Sequence, residues 1–270
     1  MKLNNLDNKN LIKKLQLESR RYIVKAIYNA QSSHIGSALS CIDLLIAQLL
    51  FINQSEKIDY IKAIERIVLS KGHGAAAIYG LLHCLNNETK YEEYYQNGSW
   101  YTGHISHEIN HISHSTGSLG HGLPVACGMA YANRDKLFSV ILSDGELQEG
   151  SNWEALMVAP QLGIKNLIIA IDYNNQQSFG SVNETMNIEP IEDKLKSFGW
   201  NTYRGDGHNI SNMISVYGKL LNLGKPFVFV ADTLKGKGVS FMENKTKWHY
   251  SPPNKKEFED ALDEINENYK

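Results

Sequence analysis

The sequence predicts an α/β fold in which a parallel sheet is covered by helices on both faces. Three nearly continuous apolar runs, at residues 137–143, 165–172 and 226–233, have the length and composition of strands that are buried on both sides. Stretches with apolar residues at helical spacing lie between these runs, and Gly or Pro residues mark several of their ends. This alternation of strand and helix is typical of a parallel sheet.

In chain order, the first predicted element is a helix over residues 11–30, where apolar residues recur at helical spacing. Residues 31–40 contain the Ser and Gly residues typical of a turn, and a more apolar helix follows at 41–52. A short apolar strand is predicted at 66–70, and a glycine turn after it opens a further helix. Small residues at 119–134 predict another helix, which leads into the first long strand.

The second half of the chain continues the alternation of helix and strand. Helices are predicted at 150–163, at about 190–198 and near 210–222. The run WNTYR, at 200–204, is strand-like. The Asn-rich N-terminus and residues 252–270 are expected to be solvated ends, the latter helical.

Length and composition are those of a globular protein with one large domain or two small ones, and they exclude several classes of protein. The 270 residues are enough for a sizeable core, and we expect a single domain over 1–270. A net charge of −2 gives no general attraction to nucleic acid or to an anionic membrane. The three cysteines are widely spaced and form no CxxC pair, which argues against disulfides and zinc knuckles. We find no signal-peptide-like segment and no run of eighteen apolar residues, so a cytoplasmic protein is expected.

Oxygen donors follow two of the predicted strands. Asp144 comes directly after one strand and is followed by Gly145, while Asn174 comes just past the next strand. One strand–helix–strand unit separates the two donors, so their strands belong to one sheet and are often neighbours. A carboxylate and an amide oxygen at adjoining strand ends suit Mg²⁺ or Ca²⁺, and Mg²⁺ commonly clamps a diphosphate. A simple turn at Asp144 and a helix cap at Asn174 is the alternative.

Five histidines are concentrated in residues 103–122. On a helix, His104, His107, His111 and His114 would lie along one side, an arrangement that would suggest a zinc site. The glycine, serines and β-branched residues between them favour a loop equally well. A histidine-cluster zinc hydrolase therefore remains an alternative at this stage.

The motifs of the chain resemble those of transketolases. SDGELQEG followed by DYNNQQ is similar to the thiamine-diphosphate motif, which is normally Gly-Asp-Gly followed about thirty residues later by an asparagine pair. SSHIGSALS, LSKGHGAAAIYGLL, STGSLGHGL, DGELQEGSNWEA and KGKGVSFMENKTKWH occur in the order of the N-terminal portion of that family. The resemblance implies the thiamine diphosphate-binding fold, as its diphosphate-binding domain, over nearly the whole chain.

The resemblance also implies the residues that hold the cofactor, thiamine diphosphate. The implied metal ligands are Asp144, Asn174 and the main-chain carbonyl of Gln176. The remaining implied cofactor contacts are the Gly145 N–H and the His73 side chain at the diphosphate, His249, and the segment Gly117, Ser118 and Leu119 beneath the cofactor.

Three histidines match family positions at the reacting sugar. His104 matches the histidine near the reacting carbon, His34 the one that contacts the donor and acceptor sugars, and His249 the one near the cofactor and the substrate oxyanion. A cluster of imidazoles suits this chemistry, because histidine can donate to an alkoxide or transfer a proton near neutral pH. The sequence departs from the family at Ser143, which replaces a glycine, and at Ile105, which replaces a proline.

The remaining histidines and two glutamates have weaker assignments. His107, His111, His114 and His121 match no family role, His83 falls in a predicted helix core, and His208 lies in a predicted turn. Glu149 and Glu154 match glutamates at the interface between paired active sites, although carboxylates near a helix N-terminus are also favoured by the helix dipole.

The resemblance implies a partner. In transketolases, the glutamate that ionises the cofactor's aminopyrimidine lies beyond the matched segment. A separate C-terminal subunit, an α2β2 heterotetramer and inactivity of this chain alone are therefore expected. The expected reaction transfers a two-carbon ketol unit from a ketose phosphate to an aldose phosphate. A 2-oxoacid dehydrogenase component, a deoxyxylulose-phosphate synthase and a non-catalytic relative are the remaining alternatives.

Overall fold

The computed structural model describes residues 7–86 and 88–270 and contains a parallel sheet of five strands in the order β1-β2-β3-β5-β4. All four strand pairs are parallel. The predicted fold class is therefore confirmed. The strands are β1 Ile67–Leu69, β2 Phe138–Ser143, β3 Leu167–Tyr173, β4 Asn201–Asp206 and β5 Phe227–Asp232.

The helices connect the strands and lie over both faces of the sheet. The helices are α1 Asn8–Ala30, α2 Ile35–Glu56, α3 Tyr60–Ile64, α4 Ala75–Asn86, α5 Gly122–Ala132, α6 Gly150–Gln161, α7 Val182–Thr185, α8 Ile191–Ser197, α9 Ile210–Asn222 and α10 Lys255–Tyr269. Side chains of successive strand residues point to opposite faces, so the strands contribute to two separate cores. One core contains α1, α2, α4, α9 and α10, and the other contains α5, α6 and α8.

The turn predicted at 31–40 is confirmed for residues 31–34 and wrong for the rest, because α2 begins at Ile35. Within the helix, Gly36 serves close packing rather than a turn. A Cβ atom at Gly36 would lie 3.2 Å from the carbonyl oxygen of Trp248, so the helix and the 246–249 segment approach closely. All residues from Ile35 to Ile52 are buried. Helix α2 is long and apolar enough to span a membrane by length and composition, but its apolar window lies wholly inside the fold.

The C-terminal segment is helical, as predicted, but it is not only a solvated end. Helix α10 buries Ala261 and Ile265 in the same core as α1. Its N-terminus has a capping box, in which the Asn254 side chain accepts from the Glu257 N–H and the Glu257 side chain accepts from the Asn254 N–H. The Asn-rich start of the chain, up to residue 6, lies outside the described residues.

Strand register places the predicted oxygen donors at one edge of the sheet. Strands β2 and β3 are neighbours, and Ser143 pairs with Asp172 at their carboxyl ends. Asp144 follows the first of these residues directly, and Asn174 lies two residues beyond the second. The predicted adjacency of the two strands is therefore confirmed, and ligands of open α/β sheets bind at this edge.

Candidate functional site

A cavity of about 350 Å³ opens at the carboxyl ends of the strands. It collects side chains from separate segments of the chain, which meet there because parallel strands end at one edge. The predicted site residues that line it are His34, His73, His104, Gly117, Leu119, Asp144, Gly145, Asn174, Gln176 and His249. Ser118 is the exception, because its side chain is exposed and does not line the cavity.

The three predicted metal ligands are held by local hydrogen bonds. Asp144 Oδ1 accepts from the Gly145 N–H at 2.7 Å, and Oδ2 accepts from the Asn175 N–H at 2.6 Å. Asn174 Oδ1 accepts from the Gln176 N–H at 3.0 Å. The Gln176 carbonyl accepts from the Lys235 ammonium at 3.1 Å. A carboxylate, an amide and a main-chain carbonyl are the hard oxygen donors that Mg²⁺ or Ca²⁺ prefers.

Charge at Asp144 is poorly compensated within the chain. Burial, together with the neighbouring Asp172 carboxylate, raises the pKa of Asp144 to about 6. The Lys71 ammonium forms a buried ion pair with Asp172 rather than with Asp144. Burial opposes ionisation of Asp172, yet the charge of Lys71 and hydrogen bonds from Ser40 and Thr233 keep its pKa below the ordinary value. The donor set at Asp144 therefore fits a divalent cation, which would favour the ionised carboxylate.

Other features of the cavity fit the diphosphate of the expected cofactor. Gln177 lines the cavity, and its buried Nε2 has no hydrogen-bond partner among the described residues, so it can donate to an anion. A Cβ at Gly145 would lie 3.3 Å from the Gln177 side chain, so glycine keeps the Gly145 backbone accessible at this point. Gly120 has a φ of +85°, and a Cβ there would lie 2.7 Å from Glu149 Cβ. The residues present are thus compatible with the anion and its metal.

Four histidine rings gather on one wall of the cavity. The ring centroid of His34 lies 5.3 Å from that of His73, 5.0 Å from that of His249 and 6.1 Å from that of His104. His34 has a φ of +74°, a strained conformation for a non-glycine residue at the start of α2. Its N–H donates to the His249 carbonyl at 2.8 Å. Such strain is commonly found where structure is held for function.

The environment of three of these rings disfavours their protonation. Burial, reinforced by His104, Lys235 and Lys71, lowers the pKa of His34 to about 4. Burial and the positive charge of Lys235 lower the pKa of His249 to about 3. The pKa of His73 lies well below its ordinary value, chiefly because of burial and the charge of Lys71. The neutral rings can each donate and accept a hydrogen bond at neutral pH.

These depressed pKa values make the site sensitive to acid. The pKa of His34 is lower in the folded chain than in the unfolded chain, so its contribution to stability is present above the unfolded value and is lost as pH falls toward about 4. Between about pH 7.5 and pH 5, we expect the wild type to lose more melting temperature than His34→Gln.

Thermal unfolding without ligands checks this expectation, and the exposed His107 provides the matched control. His107→Gln should lose as much melting temperature as the wild type over the same range. Equal losses in the wild type and His34→Gln would contradict the expectation. Buried carboxyls with raised pKa values oppose this trend in every variant, so the comparison between variants, rather than the absolute slope, isolates the histidine.

The zinc alternative is wrong for the described part of the chain. Residues 7–86 and 88–270 contain no group of three or more His, Cys, Asp or Glu side chains that could hold a metal ion. The segment around 103–116 is a loop, and its histidines have separate partners. His107 contacts Ser115, His111 contacts Glu65, and His114 Nε2 accepts from the Leu69 N–H at 3.0 Å.

Two lysines and one histidine have roles that the sequence pattern does not predict. Lys71 and Lys235 line the cavity, and Lys235 lies 2.8 Å from His249 Nδ1. Both lie in glycine-rich motifs, SKGHG and KGKG, which could have signalled a cation held near an anion-binding backbone. His208, predicted only as part of a turn, contacts Asp43 on α2.

His83 is half-buried at the end of α4, where Nδ1 lies 2.6 Å from the Thr89 carbonyl oxygen.

The two glutamates lie at different places. Glu149 lines the cavity, whereas Glu154 lines a separate, largely apolar groove between α5 and α6. The assignment of both to a subunit interface stays a prediction.

Solved transketolases share this fold. The transketolase from Leishmania mexicana superposes with a TM-score of 0.84 at 23% identity, and the match covers 94% of this chain and 41% of that one. The transketolase from Campylobacter jejuni gives a TM-score of 0.81 at 24% identity, covering 94% of this chain and 43% of that one. The chain thus spans about two fifths of the length of these solved transketolases.

Sequence comparison extends the likeness from fold to family. The family described as "Transketolase, thiamine diphosphate binding domain" matches residues 12–266. The chain therefore belongs to the transketolase family and corresponds to its thiamine diphosphate-binding domain. An apulose-4-phosphate transketolase subunit from Phocaeicola vulgatus is 35% identical, with 95% of each chain covered. The 6-deoxy-6-sulfo-D-fructose transketolase subunit SqwG from a Clostridium species is 36% identical, with 89% of this chain and 88% of that one covered.

Proposed function

We propose that the chain is the diphosphate-binding subunit of a two-chain transketolase that moves a two-carbon ketol unit from a ketose phosphate to an aldose phosphate. The observation that carries the proposal is the convergence of Asp144, Asn174 and Gln176 with four histidines in one cavity at the strand ends. Relatives of nearly the same length, named as transketolase subunits, support a two-chain enzyme.

In this proposal, one edge of the cavity holds the diphosphate through a metal. Asp144, Asn174 and the Gln176 carbonyl would hold Mg²⁺ or Ca²⁺, which would supply positive charge for the anion. The Gly145 N–H and the His73 ring would donate to the diphosphate, and the Gly117–Leu119 segment would contact the cofactor. Ser118 would contact the cofactor through its main chain, since its side chain is exposed. Lys235 adds a positive charge at the same edge.

The histidine wall acts on the sugars. When bound, thiamine diphosphate would supply the carbon nucleophile of the reaction. His34 and His104 hold sugar hydroxyls by hydrogen bonds, and His249 faces the oxygen on which negative charge develops. Each neutral imidazole can accept a hydrogen bond from one sugar hydroxyl and donate one to another oxygen, because each ring has one donor and one acceptor nitrogen.

The partner completes the site in this proposal. A C-terminal transketolase subunit supplies the glutamate for the cofactor's aminopyrimidine ring, and two copies of each chain form an α2β2 heterotetramer. The cavity of this chain has an open mouth, where a second chain can cover the cofactor and exclude water. Residues 1–270 act as one domain in this arrangement. Location in the cytoplasm stays a prediction.

Reconstitution tests the proposed function. The purified chain, its partner subunit, Mg²⁺ and thiamine diphosphate are mixed with an aldose phosphate acceptor and a panel of ketose donors. Apulose 4-phosphate and 6-deoxy-6-sulfo-D-fructose, the sugars in the relatives' names, belong in the panel. Ketol transfer is expected only when both chains are present. Substantial turnover by this chain alone would contradict the two-chain proposal.

A pair of histidines on one loop gives the reconstitution a matched control. We expect His104→Asn to lower turnover by about 100-fold or more, because it removes hydrogen bonding and proton transfer at the reacting sugar. His107→Asn, at an exposed position three residues along, should leave turnover within about twofold of wild type. Equal effects of the two substitutions would remove His104 from the proposed site.

A further inference from the structure

A buried polar bridge lies behind the site and involves residues that the proposed mechanism does not use. Asp43, on α2, is buried and receives the Arg20 guanidinium at 3.1 Å on Oδ1 and 2.6 Å on Oδ2. His208 Nδ1 lies 2.8 Å from Asp43 Oδ2. The bridge thus joins α1, α2 and the turn between β4 and α9.

The hydrogen bonds of His208 define its tautomer. Nε2 lies 2.8 Å from the Leu234 backbone nitrogen, which has only a proton to offer, so Nε2 must accept. Nδ1 therefore carries the ring proton and donates it to Asp43. The ring is further placed by the backbone N–H of His208, which donates to Asp206 Oδ1 at 2.8 Å. A ring held in this way connects Asp43 to the backbone just beyond β5.

The backbone contacted by this bridge carries Lys235 into the cavity. Leu234 is held by His208, and the Lys237 carbonyl accepts from Arg20 Nε at 3.4 Å. Between these anchors, the Gly236 N–H donates to the Gly36 carbonyl at 3.0 Å. The Lys235 ammonium donates to the carbonyls of Gln176 and Gln177 at 3.1 and 3.3 Å. Hydrogen bonds therefore fix the backbone on both sides of Lys235, at Leu234 before it and at Gly236 and Lys237 after it.

We propose that His208 is a positioning residue that holds Lys235 at the cofactor's anionic group by linking the Leu234 backbone to Asp43. The proposal rests on the proposed function, because it concerns a residue that faces the expected diphosphate. A lysine side chain has many rotamers, so a fixed backbone is needed to place its charge. His208 itself contacts neither cofactor nor substrate in this arrangement.

Two substitutions at His208 separate its hydrogen bonds from its bulk. Glutamine can donate to Asp43 and accept from Leu234, whereas alanine can do neither. Thiamine diphosphate is titrated into the reconstituted two-chain complex with Mg²⁺, and its affinity is measured. We expect His208→Ala to weaken binding by about 10-fold and His208→Gln to stay within about threefold of wild type. If His208→Ala does not fold, His208→Asn, with a shorter side chain, replaces it.

A double-mutant cycle with Lys235→Met tests whether His208 acts through Lys235. If it does, His208→Ala should weaken binding by less than about twofold in the Lys235→Met background, while its effect on melting temperature stays the same. A full 10-fold effect in both backgrounds, or a failure of His208→Gln to restore binding, would overturn the proposal. The proposed function is tested separately by comparing thiamine diphosphate binding in the wild type and in Asp144→Asn. If the wild type does not bind the cofactor more tightly than this variant, both the proposed function and the role of His208 are overturned.

Discussion

Asp144→Asn should abolish the Mg²⁺-dependent gain in stability that thiamine diphosphate gives to the complex of this chain with its partner. The substitution removes the carboxylate charge at the end of β2 and retains a side chain of the same size. We expect the affinity for thiamine diphosphate with Mg²⁺ to fall by more than about 100-fold. Loss of a residue that only supports a metal ligand typically costs roughly 10- to 100-fold, and Asp144 is a proposed ligand itself. Burial and the neighbouring Asp172 carboxylate raise the pKa of Asp144 to about 6, so its negative charge is poorly stabilised within the chain and a bound cation would stabilise it.

Titration of cofactor and Mg²⁺, followed by binding affinity and by melting temperature, measures this effect. Ligand that binds only the folded protein raises its melting temperature, so the wild type should gain stability and the variant should not. Asp135→Asn is the matched control, because Asp135 is exposed in the turn before β2. It should respond like the wild type. Wild-type affinity in Asp144→Asn would refute the metal assignment.

The sequence was sufficient to predict the sheet and the two ends that carry oxygen donors. Continuous apolar runs identified β2, β3 and β5, because strands buried on both faces have this pattern. The spacing of Asp144 and Asn174 matched one strand–helix–strand unit, and short right-handed connections make such strands neighbours. Local pattern and a general topological rule were therefore enough for this part of the site.

Contacts between distant parts of the chain could not be predicted in the same way. His208 resembles a turn residue because Gly-Asp-Gly precedes it, yet its partner Asp43 lies 165 residues earlier. Lys71 follows a strand, and nothing local shows that its ammonium meets Asp172. The start of α2 was mispredicted because small residues suggest a turn, whereas here they allow the 246–249 segment to approach. In each of these cases the role of the residue depends on a neighbour in the fold that lies far away in the sequence.

Loss of one charge from the buried Lys71–Asp172 pair should strongly destabilise the fold. Both side chains are almost completely buried, with 1% and 0% exposure. The Lys71 ammonium also donates to the Ser37 carbonyl at 3.3 Å, so both of these contacts depend on its charge and its protons. Lys71→Met leaves the Asp172 carboxylate buried without its cation. We expect the free energy of unfolding to fall by about 3–5 kcal/mol, as for other broken buried pairs.

Chemical denaturation of the unliganded chain measures this loss, and its pH dependence identifies the cause. In the wild type the pKa of Asp172 is lowered, so its contribution to stability is present above the ordinary value and is lost as pH falls. Without Lys71, burial should raise that pKa, and stability should instead be lost as pH rises. The gap between variant and wild type should therefore narrow in acid. Lys71→Met/Asp172→Asn should recover part of the loss, because it leaves no unpaired charge.

An exposed lysine separates this effect from a general response to losing a positive charge. Lys219 lies in the last turn of α9 with its side chain exposed, and Lys219→Met should change the free energy of unfolding by less than about 1 kcal/mol. A loss of similar size in Lys71→Met would show that the buried pair does not stabilise the fold. If the free energy of unfolding falls greatly and the fall is as large in acid and in the double variant, the cause is lost packing of the Lys71 side chain instead. Stabilisation by the Lys71–Asp172 charge pair therefore predicts three results together. Lys71→Met should greatly lower the free energy of unfolding, the loss should be smaller in acid, and the double variant should recover part of it.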